Sequence, residues 1–265
     1  MLKTPVKNLR TYGQKPFTVA VVHGGPGAPG HMIPVARELS SEWGVLEPLQ
    51  TETSVQGQIE ELKNVLEEKG DFPMTVIGFS WGAWLSYLCA AHYPALVKKL
   101  ILIGSGPFKE KYATAIQEIR LNRLSEDEKN EALSLTENLK DPAIRDKDAI
   151  FARLGKLFTK ADAFDPSTLE TEDLEVRYRV YRGVWNDAAE LRRSGELLKL
   201  GRRIRCPVVA IHGIYDPHPA EGVRKPLSAV LTGFRFMLLE NCGHMPWIER
   251  QAREEFYKIL KEELC

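Results

Sequence analysis

Short apolar runs of strand length recur along the chain, at residues 17–22, 74–77, 100–103, 207–211 and 234–239. Most are nearly unbroken and rich in β-branched residues, the pattern of strands covered on both faces. Between the first two, Val55, Ile59, Leu62, Val65 and Leu66 fall on one helical face, with Glu60, Glu61, Lys63, Glu67 and Glu68 opposite. Strand and helix in alternation predict an α/β fold. Its sheet is mostly parallel with helices on both faces, and its functional loops gather at the carboxyl ends of the strands.

The alternation breaks between about Pro107 and Arg203, where helical periods at 113–122, 125–139, 148–158 and 171–182 run with no convincing strand. Strand-like sequence resumes at Cys206, so this stretch interrupts one core rather than starting a second. The expected organisation is a core of residues 1–106 and 204–265 with a helical cap inserted at 107–203. A last amphipathic helix is expected over 248–260. There is no internal repeat or low-complexity segment.

Length and composition narrow the function. A chain of 265 residues can bury a large single core, and 36 basic against 36 acidic side chains leave a formal net charge of zero. Such a chain carries no overall field to gather nucleic acid or an anionic membrane. Residues 72–97 lack every Lys, Arg, Asp and Glu and are long enough to span a bilayer, but Pro73, Gly78, Ser80, Gly82 and Pro94 argue against that. No apolar run follows the basic N-terminal residues before Phe17, so no signal peptide is expected and the location is read as cytoplasmic. Cys89, Cys206, Cys242 and Cys265 form no C-x-x-C pair and are read as reduced thiols. The charged clusters at 170–175 and 192–205 are read as solvated faces.

The chemistry concentrates at strand ends. Gly78-Phe79-Ser80-Trp81-Gly82 follows the run at 74–77 and precedes a helical run at 83–92, the setting a G-x-S-x-G nucleophile turn requires. Serine near neutral pH needs a base within hydrogen-bond reach and a carboxylate to orient that base. Asp216 follows the strand ending at Ile211, and His244 follows the strand ending at Leu239, so the order is Ser80, Asp216, His244. Each alone has an ordinary reading as a glycine turn, a loop aspartate or a loop histidine; together they point to nucleophilic catalysis. The first strand ends in His23-Gly24-Gly25-Pro26-Gly27, a loop that can turn backbone amides toward an oxyanion, as the Trp81 amide at the start of the helix after Ser80 also can.

Rival chemistries fit less well. Residues 25–30 formally match G-x-G-x-x-G, but Pro26 and Pro29 remove amides that a pyrophosphate would use, and no Gly-Lys-Ser/Thr follows. His212, Asp216, His218, Cys242 and His244 are all conceivable metal ligands, in no recognised zinc spacing. No metal or organic cofactor is expected.

With these motifs the chain resembles the α/β-hydrolase superfamily, over nearly its whole length outside the cap. His-Gly-Gly-Pro-Gly with a tryptophan after the serine is most similar to the prolyl iminopeptidase branch. The resemblance implies Ser80 as nucleophile, His244 as base, Asp216 as its orienting acid, and the Gly25 and Trp81 amides as oxyanion hole. The chain departs from that branch at Phe79, where it usually has glycine, and at 44–54, which lack its Asp-Gln-Arg-Gly-x-Gly-x-Ser segment. Its N-terminal lead is too short for the usual opening hairpin, so the sheet is expected to lack its first strands. The expected function is therefore hydrolysis of a small ester or amide through an acyl-enzyme, with an iminopeptidase-like aminopeptidase and a non-catalytic binding module on the same fold as alternatives. Phe164, Tyr178, Tyr181 and Trp185 of the cap are expected to wall the pocket. The partner is a small-molecule ester, amide or short peptide, and the sequence leaves the oligomeric state open.

Overall fold

The computed structural model describes residues 8–167 and 176–265. The chain runs through β1 (Leu9–Tyr12), β2 (Phe17–Val22), α1 (Ile33–Leu39), β3 (Gly44–Pro48), α2 (Val55–Lys69), β4 (Met74–Phe79), α3 (Trp81–His92) and β5 (Val97–Ile103). Helices then take over: α4 (Ile116–Asn122), α5 (Glu126–Lys140), α6 (Asp148–Asp162), α7 (Tyr178–Arg193) and α8 (Glu196–Leu200). The sheet resumes with β6 (Val208–Gly213), α9 (Glu221–Ser228), β7 (Arg235–Leu239) and α10 (Arg253–Glu262).

The seven strands lie in the order β1-β3-β2-β4-β5-β6-β7. Every neighbouring pair is parallel except β1 with β3. This is the α/β-hydrolase arrangement that the sequence led us to expect. Alternate strand residues feed two cores: Val22, Val76, Leu100 and Ala210 pack beneath α2 and α3, while Val21, Ile77, Ile101 and Ile211 pack beneath α1 and α10. Period-two burial on both faces explains the unbroken apolar runs. Residues Trp81 to Ala91 of α3 are all buried, which accounts for the uncharged stretch 72–97 without a membrane. No helix among the described residues is long and apolar enough to cross one.

The expectation that the sheet lacks its first strands is corrected by β1, which pairs Leu9 with Pro48 and Tyr12 with Val45. β1 and β3 do not follow the apolar pattern because their buried polar groups find partners in each other. Glu47 of β3 is fully buried and accepts the Tyr12 hydroxyl at 2.7 Å and Arg10 Nη1 at 3.5 Å. Burial first, and this carboxylate next, push the Tyr12 phenol pKa up.

Between β5 and β6 the expected helices are present. α5 starts at a capping box in which Ser125 and Glu128 satisfy each other's backbone amides. Leu124, Ala132, Leu139, Leu154, Leu157 and Ala161 form a separate apolar cluster beneath these helices. The charged run at 170–175 and the start of the helix expected from 171 lie outside the described residues. The helix expected over 248–260 is also corrected. A short 3-10 turn (Pro246–Ile248) comes first and α10 begins only at Arg253; between them the Glu249 side chain is turned inward to accept three backbone amides.

Candidate active site

Ser80 stands between β4 and α3 with φ 53° and ψ −113°. A positive φ is costly for any residue with a Cβ, so the surroundings must hold it. The Ser80 N–H donates to the Ile103 carbonyl of β5 at 2.9 Å, and its own carbonyl accepts from Ala83 at 3.1 Å. The flanking glycines are required by backbone crowding: a Cβ on Gly78 would lie 2.2 Å from the Gly82 carbonyl oxygen, and one on Gly82 would lie 2.2 Å from that of Val22. Trp81 is the first residue of α3, so its N–H has no acceptor within the helix and sits at the positive end of the helix dipole.

His244 and Asp216 arrive from the ends of β7 and β6. His244 Nδ1–H donates to Asp216 Oδ2 at 2.7 Å, which leaves Nε2 as the ring's free acceptor. Asp216 is buried, and its other oxygen accepts two bonds from His218, from the backbone N–H at 2.9 Å and from Nδ1–H at 2.8 Å. His212 stands on the far side, Nε2 3.6 Å from Asp216 Oδ2, and donates to the His218 carbonyl at 2.7 Å. Burial alone would raise the Asp216 carboxyl pKa. His244, His218 and His212 outweigh it and hold the carboxyl well below its usual range. His218 itself is pushed down from 6.5 to about 4, chiefly by burial and against the pull of Asp216, so it is neutral at physiological pH. The site thus holds an ionised aspartate shared by two imidazoles.

Several residues to which the sequence assigned no role in the site fix this geometry. Gly104, at φ +50°, is the closest approach of β5 to the histidine: a Cβ there would lie 2.7 Å from the His244 carbonyl and 3.0 Å from Nδ1. Phe79, the residue standing where the iminopeptidase branch has glycine, packs its ring 4.8 Å from that of His244 and 4.8 Å from Trp247. Glu249 is fully buried. It accepts the amides of Gly243 at 2.8 Å, Phe164 at 2.9 Å and Asp165 at 2.8 Å. His244 N–H donates to the Asp162 carbonyl at 2.9 Å, so the histidine loop is stitched to the end of α6.

A cavity opens above Ser80 in two lobes. One, of 580 Å³, is bordered by Gly25, Ser80, Trp81, Trp84, Trp185 and His218, among others. The other, of 480 Å³, is bordered by Gly25, Ser80, His31, Phe79, Asp162 and His244, among others. Gly25, Ser80, Arg120, Phe151, Leu154, Phe158 and Tyr181 border both. Arg120 is clamped by Asp162 through Nε at 2.7 Å and Nη2 at 2.6 Å. The five sequence-predicted residues therefore meet here: Ser80, Gly25, Trp81 and His244 at the cavity wall, and Asp216 behind the histidine. Of the expected wall residues, Tyr178, Tyr181 and Trp185 border the larger lobe. Phe164 borders neither lobe; it is exposed and its ring meets Tyr215 at 5.3 Å. Of the conceivable metal ligands, Asp216, His218 and His244 come within 4.8 Å of one another. Both histidines direct Nδ1 at the carboxylate, and His212 and Cys242 hydrogen-bond to nearby carbonyls instead.

Residues 19–258 match the family described as Alpha/beta hydrolase family. No curated protein sequence matches the chain. Among solved structures, the chain is similar to VinJ at 20% identity and a TM-score of 0.66, covering 97% of this chain and 93% of that one. A carboxylesterase of the thaumarchaeon Nitrososphaera gargenis is similar at 19% identity and TM-score 0.64, covering 99% of this chain and 97% of that one. The monoacylglycerol lipase of Paleococcus ferrophilus is similar at 17% identity and TM-score 0.60, covering 97% of each chain. At these identities the likeness concerns the fold.

Proposed function

Because the chain belongs to the alpha/beta hydrolase family, we propose that this hydrolase cleaves a small carboxylic ester or amide by nucleophilic attack of Ser80. The supporting observation is the His244–Asp216 hydrogen bond of 2.7 Å behind a cavity that His244 and the strained Ser80 both border. In this reading His244 Nε2 takes the hydroxyl proton as Ser80 Oγ adds to the substrate carbonyl. Asp216 keeps the imidazole in the Nδ1–H tautomer and stabilises the imidazolium. The Gly25 and Trp81 amides receive the charge on the carbonyl oxygen. The tetrahedral adduct collapses, the leaving group departs with the proton from His244, and an acyl-Ser80 ester remains. Water, deprotonated by the same histidine, then attacks that ester and frees the acid and the serine.

The helices between β5 and β6 act as the cap over this cavity, and residues 1–106 and 204–265 as the catalytic core. The protein works in the cytoplasm on small molecules. The aminopeptidase alternative needs carboxylates to meet the substrate's ammonium group, because an unpaired buried ion costs several kcal/mol. The described residues bordering the Trp81 lobe include Arg120, Lys140 and Arg192 and no acid. This favours an uncharged or anionic acyl group.

The direct test is labelling with a small fluorophosphonate followed by mass spectrometry of the modified peptide. The adduct is expected on Ser80 and is expected to vanish in Ser80→Ala together with ester hydrolysis. Labelling or turnover that survives the substitution would remove Ser80 from the mechanism.

A further inference from the structure

The Trp81 lobe carries a continuous aromatic wall that the triad does not use. Phe151 and Tyr181 lie 4.4 Å apart, Tyr181 and Trp185 stack at 6.0 Å and 12°, and Trp185 and Trp84 stack at 6.2 Å and 4°. All four border this lobe, but only Phe151 and Tyr181 also border the other. The row runs from Phe151 and Tyr181, which border both lobes, through Trp185 to Trp84, which border this one. Its far end is pinned, since the Trp84 indole N–H donates to the Gly106 carbonyl at 2.9 Å. Phe151 and Tyr181 are tilted by 38° and the other two pairs are stacked, so the row lines the lobe with aromatic groups, against which a planar ring gains contacts that a saturated ring of equal size does not.

An arginine closes that end. The Arg192 guanidinium lies 5.6 Å from the Trp84 ring and its side chain is only 10% exposed. Nε donates to Glu110 at 2.7 Å, whereas the two Nη groups make no hydrogen bond among the described residues. Held by Glu110 beside the indole and bordering the lobe, the guanidinium keeps Nη donors for a ligand.

Proton flow decides which half of a substrate enters. The group that departs must receive its proton from His244, which borders the other lobe and not this one. Trp81, whose amide faces the carbonyl oxygen in the reading above, borders this lobe and not the other. The acyl half therefore lies along the aromatic wall. Resting on the serine-hydrolase reading, we infer that the substrate's acyl group is aromatic and carries a carboxylate or another oxygen acceptor on its far edge, which Arg192 receives.

The test uses the full-length protein and nitrophenyl esters that share one leaving group. Phenylpropionate and cyclohexylpropionate esters differ only in a ring remote from the carbonyl, so their intrinsic reactivities match. Wild-type kcat/KM is expected to favour the phenyl ester about fivefold. It is expected to favour para-carboxyphenylpropionate over para-methylphenylpropionate roughly tenfold. Trp185→Leu should bring the first ratio close to unity, and Arg192→Gln the second. Each ratio is taken on one sample and does not depend on how much of a variant is folded. Equal wild-type rates for phenyl and cyclohexyl esters, with Ser80 still labelled by the phosphonate, would overturn the aromatic acyl site and leave the nucleophile standing. A para-carboxylate preference that survives Arg192→Gln would overturn the arginine's role. Failure of the wild type both to hydrolyse every ester and to react with the phosphonate would overturn the serine-hydrolase reading and this inference with it.

Discussion

The cavity is built by two regions of different physical character. Below it, the strand-end loops that carry Ser80, Asp216 and His244 rest on a sheet covered on both faces, and a single added carbon at Gly78, Gly82 or Gly104 would strike backbone. Above it, α4 has no buried residue and α5 buries only Ala132 and Leu139, so these helices rely on their own small cluster with Leu154, Leu157 and Ala161. The lower region has one arrangement available. Helices α4 to α6 are held by fewer apolar contacts and by ion pairs near the surface, such as Arg153–Glu131, where half-exposed side chains contribute little to stability, while α7 buries Val180, Val184 and Ala188 in the core beneath α2 and α3. Chemistry that depends on short hydrogen bonds is thus placed on the rigid side, and the cavity wall is shared between the two, with Trp84 from α3 and Tyr181 and Trp185 from α7.

Asp216→Asn tests the rigid side most severely. The neutral amide can no longer fix the imidazole tautomer or stabilise the imidazolium, and kcat should fall about ten-thousandfold with the fold unchanged. The measurement is pre-steady-state acylation alongside circular dichroism; near wild-type turnover would assign the orienting role to another group.

A paired truncation comes next in size. Leu102→Ala in the sheet core should cost about 2–5 kcal/mol of global stability, the usual range for a fully buried leucine. Leu157→Ala, in the upper cluster, should cost less in a denaturant melt because α6 has room to relax, and should show instead as faster amide exchange confined to α5 and α6 with a raised KM. Equal losses in both variants would mean that the two regions unfold as one unit and that the contrast is not energetic.

The smallest expected effect is that of acid. All six histidines lie outside residues 107–203, so protonation of imidazoles acts on the lower region alone. Burial holds His23 and His218 down from 6.5 to about 4. His23 shows why: Nδ1–H donates to the Gly24 carbonyl at 2.9 Å and Nε2 accepts the Gln50 amide at 3.3 Å, so a second ring proton would break that bond. The unfolded chain takes up protons below its ordinary histidine pKa while the folded one does not. The stabilisation from these groups is therefore complete above pH 6.5 and is lost as pH falls from there to about 4. Each histidine withdraws at most a few kcal/mol across that window. Urea melts at closely spaced pH values measure the slope, and flat stability from neutral pH to 4 would show that these histidines take up protons in the fold as they do in the unfolded chain.

The difference between the regions also governs what could be read in advance. The strand-end turns were legible because their constraints act on backbone within a few residues: a serine at positive φ between two glycines leaves a local signature, as does the strand before it. β1 and β3 were not legible, because Glu47 and Tyr12 satisfy each other only across the pair and neither segment is apolar enough alone. The same holds for Glu249, which looks like a surface acid in sequence and becomes a clamp only when Gly243, Phe164 and Asp165 are brought to it. Tyr181 and Trp185 were noticed as aromatic, but helical spacing cannot distinguish a core face from a cavity wall. That distinction required the positions of Trp84 and Phe151.

The grouping of indoles makes the protein its own optical reporter. The chain has five tryptophans. Trp81, Trp84 and Trp185 border the cavity, and Trp247 touches the Phe79 ring that packs on His244. Only Trp43, packed against the opposite core beside α1 and β3, stands apart. Trp81 lies 6.4 Å from Trp84, and Trp84 lies 6.2 Å from Trp185, close enough for excitation to pass among them before it is emitted. Ultraviolet emission from the whole protein is therefore weighted towards the cavity that Ser80 borders. A ligand entering the cavity alters light from most of the emitters at once, so occupancy can be followed without any attached dye.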